Sequence, residues 1–214
     1  MTVRFTHVIV GTLAALLATP VLYGQEPPET FEGLKLVPGT KVAAAYVHPE
    51  ADFKQYSKFM ITDPYVAFKK NWKRDHREVS NNDMERIKKR LGNLFVEVFN
   101  EVLEEGGFEV VSAAGDDVLV LRPALVDLDV AAPDIATAGR GRTYAASTGA
   151  VTLYIELLDS TTGAMLARAI DRKAARDRGS FQLSSSVYNA AEARNALKYW
   201  AELLRDRLKA IHGK

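Results

Sequence analysis

A basic segment around one tryptophan carries the clearest binding signal in the sequence. It contains Lys69, Lys70, Trp72, Lys73 and Arg74. Cations interleaved with an indole ring suit an anionic glycan, a lipid headgroup or an acidic protein surface. The segment shows neither helical nor alternating periodicity, so we expect an exposed connection. The alternative is a solvated loop whose Trp72 folds back onto the core, where large apolar rings usually pack.

A second basic candidate is the run Gly139-Arg140-Gly141-Arg142. Its two arginines, Arg140 and Arg142, could hold an anionic partner. No helical periodicity follows the glycines, so the run does not match a phosphate-binding loop. A solvated loop between two strands is the simpler interpretation.

Groups capable of catalysis do not form a recognisable set. Asp127 and Asp129 alternate on one predicted strand face and could act as a carboxylate pair in a cleft shared with Arg122. The alternative places both aspartates on the solvated side of the strand. The run Ser184-Ser185-Ser186 lacks the G-x-S-x-G elbow of hydrolases and suits a loop or a helix start. We therefore expect a protein that is not an enzyme.

Metal and thiol chemistry receive little support. The chain has no cysteine, which excludes disulfides, thiolate metal ligands and a cysteine nucleophile. His48, His76 and His212 are far apart and lack a His-x-x-x-His spacing. Exposed or locally bonded histidines are the simpler interpretation, and we expect no metal and no cofactor.

A β-hairpin is the clearest structural pattern near these candidates. Val151, Leu153, Ile155 and Leu157 alternate with other positions, which predicts a strand with one buried face. The sequence D-S-T-T-G then turns the chain, and its Gly163 accepts a positive φ. A second strand follows the turn.

Two long helices are predicted from apolar residues that recur every three or four positions. The first begins at Ser80, where Asp83 completes a capping box, and it ends at a pair of glycines. The second begins near Asn189. Leu94 and Leu204 are expected on the buried faces of the two helices.

The remaining strands are predicted at 57–62, 108–111 and 118–130. In the longest strand we expect the even-numbered residues to share the apolar face, interrupted by Arg122, with a bulge or an edge at Pro123. The order β-α-β-β-β-β-α predicts an α+β fold, a two-layer α/β sandwich. It consists of a mainly antiparallel mixed sheet with both long helices packed on one face.

The first 24 residues are typical of a signal peptide. Arg4 is followed by the apolar run from Val8 to Leu17, and Pro20 ends the run. The run is short for a membrane span of about 20 residues, although an uncleaved anchor is the alternative. We expect export to the periplasm or the outside of the cell, with cleavage near Gly24-Gln25.

The end of this leader is similar to a bacterial lipobox, with Leu22-Tyr23-Gly24 before Gln25. Gln25 stands where the lipidated cysteine would be, so a thioether lipid is excluded. The predicted organisation is a signal peptide at 1–24, a flexible tether at 25–45 and one α/β domain at 46–214.

Charge excludes one broad class of partner. The chain has 28 basic and 27 acidic residues. Arg4 is the only charged residue of the leader, so the rest of the chain is electrically balanced. A balanced, exported protein is a poor candidate for general nucleic-acid binding.

Several motifs are spread along most of the chain. They are Asp52-Phe53 with Tyr56, Asp63-Pro64 followed by Val66, Phe68 and Trp72, the turn from Leu157 to Gly163, and Asp171-Arg172. Together they resemble a bacterial envelope family, domain of unknown function 3313, over about Tyr46 to Ala210. The resemblance implies an envelope location and no established activity. Many members look like lipoproteins, and the missing cysteine is the main departure.

The leading hypothesis is a non-catalytic envelope protein that binds an envelope protein, a glycan or a lipid headgroup. A carrier of a small molecule or lipid, with its ligand between sheet and helices, is the second hypothesis. An enzyme is the third. An apolar pocket would favour the carrier, and an exposed aromatic and basic patch would favour the binding module.

Overall fold

The computed structural model describes residues 27–130, 150–174 and 186–213. The predicted signal peptide and its cleavage site lie outside the described residues. The same holds for four of the candidate residues: Arg140, Arg142, Ser184 and Ser185.

Nine strands, three α-helices and one short 3₁₀ helix make up the described part of the chain. The strands are β1 Thr30–Phe31, β2 Leu34–Leu36, β3 Ala44–Val47, β4 Lys58–Ile61, β5 Tyr65–Phe68, β6 Glu109–Val110, β7 Val118–Asp129, β8 Ala150–Asp159 and β9 Met165–Ala174. The helices are α1 Trp72–Asp75, α2 Asn81–Glu105 and α3 Ser186–His212, with the 3₁₀ helix at Phe53–Gln55.

The strands form one open mixed sheet in which β7 separates antiparallel from parallel pairing. The strand order is β1-β2-β3-β9-β8-β7-β4-β6, and β5 pairs with β7 beyond the end of β4. Strands β8, β9, β3, β2 and β1 follow one another in antiparallel pairs. Strands β4 and β5 run parallel to β7, and β6 runs parallel to β4. The predicted α+β fold is confirmed.

The core lies between one face of the sheet and the two long helices. Phe59, Leu121 and Leu125 from the sheet are fully buried in the same cluster as Phe95 and Phe99 from α2. The rings of Phe95 and Phe99 stack with their centroids 3.9 Å apart. Burial of this apolar surface is the main force that holds the two layers together.

Helix α2 begins and ends where its sequence predicts. The Ser80 hydroxyl accepts a hydrogen bond from the Asp83 amide, and the Asp83 carboxylate accepts one from the Ser80 amide. Gly107, with φ of 80°, follows the last turn, where a side chain would be strained. Helix α3 begins at Ser186, three residues before the predicted Asn189.

The central hairpin of β8 and β9 is confirmed. Its turn is closed by Asp159, whose carboxylate accepts hydrogen bonds from the amides of Thr161 and Thr162. Gly163 has φ of 71°, as the turn requires. Leu153 and Ile155 point into the core, as predicted.

The expected face of β7 is wrong from Leu119 to Val126, although Val118 and Leu128 of that face are buried. Leu119, Leu121 and Leu125 are the fully buried residues, whereas Val120 is only half-buried. Residues 118–121 are apolar on both faces, so alternation could not identify the buried one. A bulge then changes the phase, because β7 has one more residue than β8 between Val126 and Asp129.

Leu94 and Leu204 pack against the core, as expected for the buried faces of the two helices, but each is only half-buried. The centres of the two helical stripes are instead residues such as Phe99 and Leu197. An apolar stripe wider than its contact surface leaves its margins partly exposed.

The predicted tether at 25–45 needs correction from Thr30 onward. Strands β1 and β2 belong to the sheet, and Leu34 is 1% exposed. Leu34 packs in a small second cluster with Ala44 and Tyr46, on β3. The segment has few apolar residues, but Leu34 and the pairing of β2 with β3 join the hairpin to the rest of the sheet.

Candidate functional site: a basic groove beside strand β5

Trp72 is a core residue, which corrects its expected role as a surface contact. The side chain is 0% exposed, and its Nε1 donates a hydrogen bond to the Val130 carbonyl at 3.2 Å. Its ring lies 4.3 Å from that of Phe68 and stacks on His76 at 4.2 Å. The alternative interpretation, in which the indole folds back, describes this residue.

The cations around Trp72 have partners of several kinds, so the fold neutralises part of their charge. Lys69 forms an ion pair with Asp129, and Lys73 donates to the Val79 carbonyl. Arg74 pairs with its neighbour Asp75 at 3.3 Å, and both are exposed.

Lys70 is exposed and has no bonded partner among the described residues. The segment is also more ordered than the exposed connection we expected. It forms the single turn α1, which Asn71 precedes with φ of 70°.

A surface groove of about 340 Å³ lies beside this segment. Strand β5, the α1 turn and the first half of α2 form its walls, and α2 contributes Met84 and Lys88. Three of its lining residues are lysines, Lys69, Lys73 and Lys88, and no carboxylate is among the lining residues of the described chain. The groove therefore presents positive charge and apolar surface together.

Lys88 was not a candidate in the sequence analysis. It belongs to a polar face that any surface helix would show, and only the packing of α2 beside β5 brings it to the groove. Its ammonium also pairs with Glu85 at 2.8 Å, one turn earlier on the helix. No sequence signal separates Lys88 from its exposed neighbour Lys89.

The expected carboxylate pair does not form a cleft with Arg122. Asp127 is exposed at the bulge of β7 with φ of 51°, and Asp129 pairs with Lys69. Arg122 lies toward the other end of β7, where its Nε donates to Glu156 at 2.6 Å. Arg122 and Asp129 are therefore held by different partners, and Asp127 is exposed at the bulge.

Glu156 is the centre of a charged row that the sequence analysis missed. It is 8% exposed, on the sheet face opposite the helices, between Arg122 on β7 and Arg168 on β9. Arg168 donates to Glu156 at 3.0 Å through Nε and also pairs with Glu32 at 3.0 Å. Its guanidinium lies 4.6 Å from the ring centroid of Phe31, so the row also holds the β1–β2 hairpin.

Tyr56 and Asp159, which both belong to the motifs of the family resemblance, form a hydrogen bond that stabilises the fold. The Tyr56 hydroxyl donates a hydrogen bond to the Asp159 carboxylate at 2.8 Å. This bond joins the turn of the central hairpin to the segment just before β4. The backbone amide of Thr162 and then the Tyr56 hydroxyl lower the pKa of Asp159 to about 2. Burial, followed by the hydrogen bond to Asp159, raises the pKa of Tyr56 to about 12.

Asp171 has a similar structural role. Its carboxylate accepts hydrogen bonds from Trp200 Nε1 at 2.7 Å and from the Ala43 amide at 3.1 Å. It thereby joins α3 to the sheet and to the segment before β3. Tyr56, Asp159 and Asp171, which belong to the resemblance motifs, therefore join elements of the fold to one another.

The histidines lie in three separate places. His48 follows β3, His76 stacks on Trp72, and His212 packs edge-on against Phe108. Within the described ranges, no group of three or more His, Asp or Glu side chains is placed to hold a metal ion.

None of the described helices has both the length and the apolar character that crossing a membrane requires.

A family model described as "Protein of unknown function (DUF3313)" matches residues 30–204. The match begins at the first residue of β1, well before the Tyr46 at which the resemblance was expected to begin. A comparison with curated protein sequences finds no match.

Several solved structures match this chain at low identity and with low TM-scores. The PelC dodecamer from Paraburkholderia phytofirmans is 13% identical, with a TM-score of 0.40, covering 71% of this chain and 89% of that chain. A DUF4136 family protein from Bacteroides thetaiotaomicron is 12% identical, with a TM-score of 0.39 and coverages of 83% and 98%. Lipoprotein GNA1162 from Neisseria meningitidis is 14% identical, with a TM-score of 0.31 and coverages of 68% and 98%. Likeness at this level carries no argument about function.

Proposed function

Because the chain belongs to the DUF3313 family of unknown function, we propose a role from its own surface: a non-catalytic binding module of the cell envelope. Its contact surface is the basic groove beside β5, and its partner is an acidic envelope component. The chemistry fits an acidic protein surface, a glycan or a lipid headgroup. The leader at residues 1–24 supports export.

The observation that carries this proposal is the charge of the groove. Its lining contains three lysines and no carboxylate among the described residues, and exposed Lys70 stands beside it. Lys70 and Lys73 have no carboxylate partner in the described chain. Charges that the fold leaves uncompensated are available to an anionic partner and speed its approach.

The other two hypotheses receive less support. The space between sheet and helices, where a carrier would hold its ligand, is filled by side chains such as Phe59, Phe95 and Phe99. The two carboxylates considered for catalysis do not form a shared cleft with Arg122, since Asp129 pairs with Lys69 and Asp127 is exposed at the bulge of β7.

The test compares two double charge reversals of equal size. Lys70→Glu with Lys88→Glu changes the groove, whereas Lys35→Glu with Lys89→Glu changes exposed lysines on β2 and on the solvent side of α2. Binding of the whole exported chain to an envelope fraction is measured at increasing salt. We expect salt-dependent binding that the groove variant loses and the control keeps, because salt screens exposed charges. Equal binding by both variants would contradict the proposal.

A further inference from the structure

The groove follows a strand edge that has no neighbouring strand in the described part of the chain. Strands β4 and β5 run along β7 one after the other, and β6 pairs with the outer edge of β4 only. Among the described residues, therefore, no strand occupies the position next to β5 on the side away from β7. An open strand edge presents backbone donors and acceptors that another chain can use.

The hydrogen bonds of β5 show which of its groups face this open position. The Lys69 amide donates to the Leu128 carbonyl of β7 at 3.2 Å. Successive residues of a strand point their backbone groups to opposite sides, so Ala67 faces β7 while Val66 and Phe68 face away from it. The extra residue at the bulge belongs to β7, so this alternation continues through β5.

The side chains confirm that the groove lies along the edge rather than on one face of the sheet. Val66 and Phe68 point toward the helices, where Val66 is in the core and Phe68 contacts Trp72. Tyr65 and Ala67 are on the opposite face, and Tyr65 is 63% exposed. Because residues from both faces line the groove, it wraps around the outer edge of β5.

Charge decides between two possible occupants of this edge. Pairing of two β5 edges from two copies would bring two lysine-lined grooves together without adding a carboxylate to their lining, and lysines at an edge strand oppose such edge-to-edge pairing. An extended segment with acidic side chains would meet the same lysines favourably. Lysines at an edge thus disfavour self-association and favour a partner of opposite charge.

We propose that β5 receives an added strand, an extended acidic segment of a partner protein that hydrogen-bonds to the backbone of Val66 and Phe68. This inference rests on the proposed function and specifies its partner as a peptide. Main-chain bonds supply the affinity in this mode of recognition, and the flanking side chains supply the selectivity.

The experiment uses the whole exported chain and synthetic peptides of about eight residues that alternate threonine and glutamate, an extended and soluble design. Two isomers are N-methylated, one on every threonine amide and the other on every glutamate amide. They have the same mass and charge, but only one keeps the amides that face β5. A peptide with lysine in place of glutamate is the charge control.

We expect the unmethylated acidic peptide to bind and one methylated isomer to lose at least about tenfold in affinity relative to the other, since it forfeits main-chain bonds. The lysine peptide should not bind. Amide hydrogen exchange should slow at Val66 and Phe68 on binding, while Ala67 and Lys69, which already face β7, should change little.

Equal affinity of the two methylated isomers, or exchange protection that excludes Val66 and Phe68, would overturn strand addition. The proposed function would then stand if the groove variant still loses envelope binding. Protection of the same amides in a dimer without any peptide would assign the edge to self-pairing and overturn the inference. If the groove variant binds the envelope fraction normally, the proposed function itself fails.

Discussion

Two charged clusters of this protein are built from similar residues and differ in how far the fold neutralises them. The first cluster is the charged row on the sheet face opposite the helices. Its Arg122, Glu156 and Arg168 occupy paired positions on three adjacent strands, and Glu32 forms a further ion pair with Arg168. Around the groove, lysines outnumber the carboxylates that reach them. In the row, the charged side chains pair with one another. In the groove, some lysines have no carboxylate partner in the described chain, and an outside partner could neutralise their charge.

The difference follows from the way each cluster is assembled. Strand register places opposite charges directly across from each other, and cross-strand pairs of opposite charge stabilise a sheet. The groove lysines come from a strand end, a single helical turn and a long helix, which no register aligns. Within the described ranges, only Lys69 and Lys88 of these lysines pair with carboxylates, those of Asp129 and Glu85.

The largest expected effect concerns Trp72, which would belong to the binding surface if the first interpretation of the basic segment were right. Trp72→Ala should lower the free energy of unfolding by about 3–5 kcal/mol, because the side chain is fully buried. Trp72→Phe, the control, keeps most of the packing and loses only the bond to Val130, about 1–2 kcal/mol. Urea unfolding measures both. Unchanged stability with lost envelope binding would return Trp72 to the contact surface.

The next effect breaks the charged row. Glu156→Ala should cost about 3 kcal/mol in urea unfolding, because it leaves Arg168, whose side chain is 13% exposed, without its nearest carboxylate. Glu156→Gln should cost less, since the amide oxygen can still accept a hydrogen bond. Envelope binding should be the same for all three proteins at temperatures where they remain folded. A cost below about 0.5 kcal/mol would place Glu156 among surface residues and contradict the description of the row as charges that pair with one another.

The sequence predicts the parts of the fold that depend on local patterns. The capping box at Ser80, the turn that ends with Gly163 and the α+β class all follow from periodicity and turn chemistry. The phase of β7 could not be predicted, because residues 118–121 are apolar on both faces and the bulge near Asp127 depends on two neighbouring strands.

The site is less predictable than the fold. The sequence identifies Lys69, Lys70 and Lys73 as a basic segment, but it cannot show that Trp72 turns inward. Lys88 is remote in sequence and reaches the groove only through the packing of α2. The open edge of β5 is a property of the strand order, which depends on pairings far apart in the chain.

The turn of the central hairpin differs from both clusters. Its Asp159 carboxylate accepts hydrogen bonds from neutral amides and hydroxyls and has no cation beside it among the described ion pairs. Its pKa falls from the ordinary 3.8 to about 2 in the folded protein, chiefly through the Thr162 amide and then the Tyr56 hydroxyl. The folded pKa is the lower one, so this stabilisation is present above about pH 4 and is lost as the pH falls through about 2.

We therefore expect Asp159→Asn to flatten the loss of stability between pH 4 and pH 2, the window set by the ordinary and lowered pKa of Asp159. The contribution is about 1 kcal/mol, because solvent reaches the carboxylate and screens it. Unfolding in urea at a series of pH values measures this slope. Asp116→Asn, in the turn that precedes β7, serves as control. The same slope in the Asp159 variant and the wild type would show that the hairpin turn does not contribute to acid sensitivity.

The smallest effect on stability is expected from one charge reversal in the groove, matched with one in the row. Lys70→Glu should change the free energy of unfolding by less than about 0.5 kcal/mol, because Lys70 is exposed and bonds to no other described residue. Arg122→Glu should cost about 1 kcal/mol, since it places a second carboxylate beside Glu156, although the Arg122 side chain is 51% exposed. Envelope binding should show the opposite order, with Lys70→Glu weakened and Arg122→Glu unchanged. If Arg122→Glu instead loses binding while Lys70→Glu keeps it, the contact surface is the sheet face opposite the helices. The roles of the two clusters are then reversed.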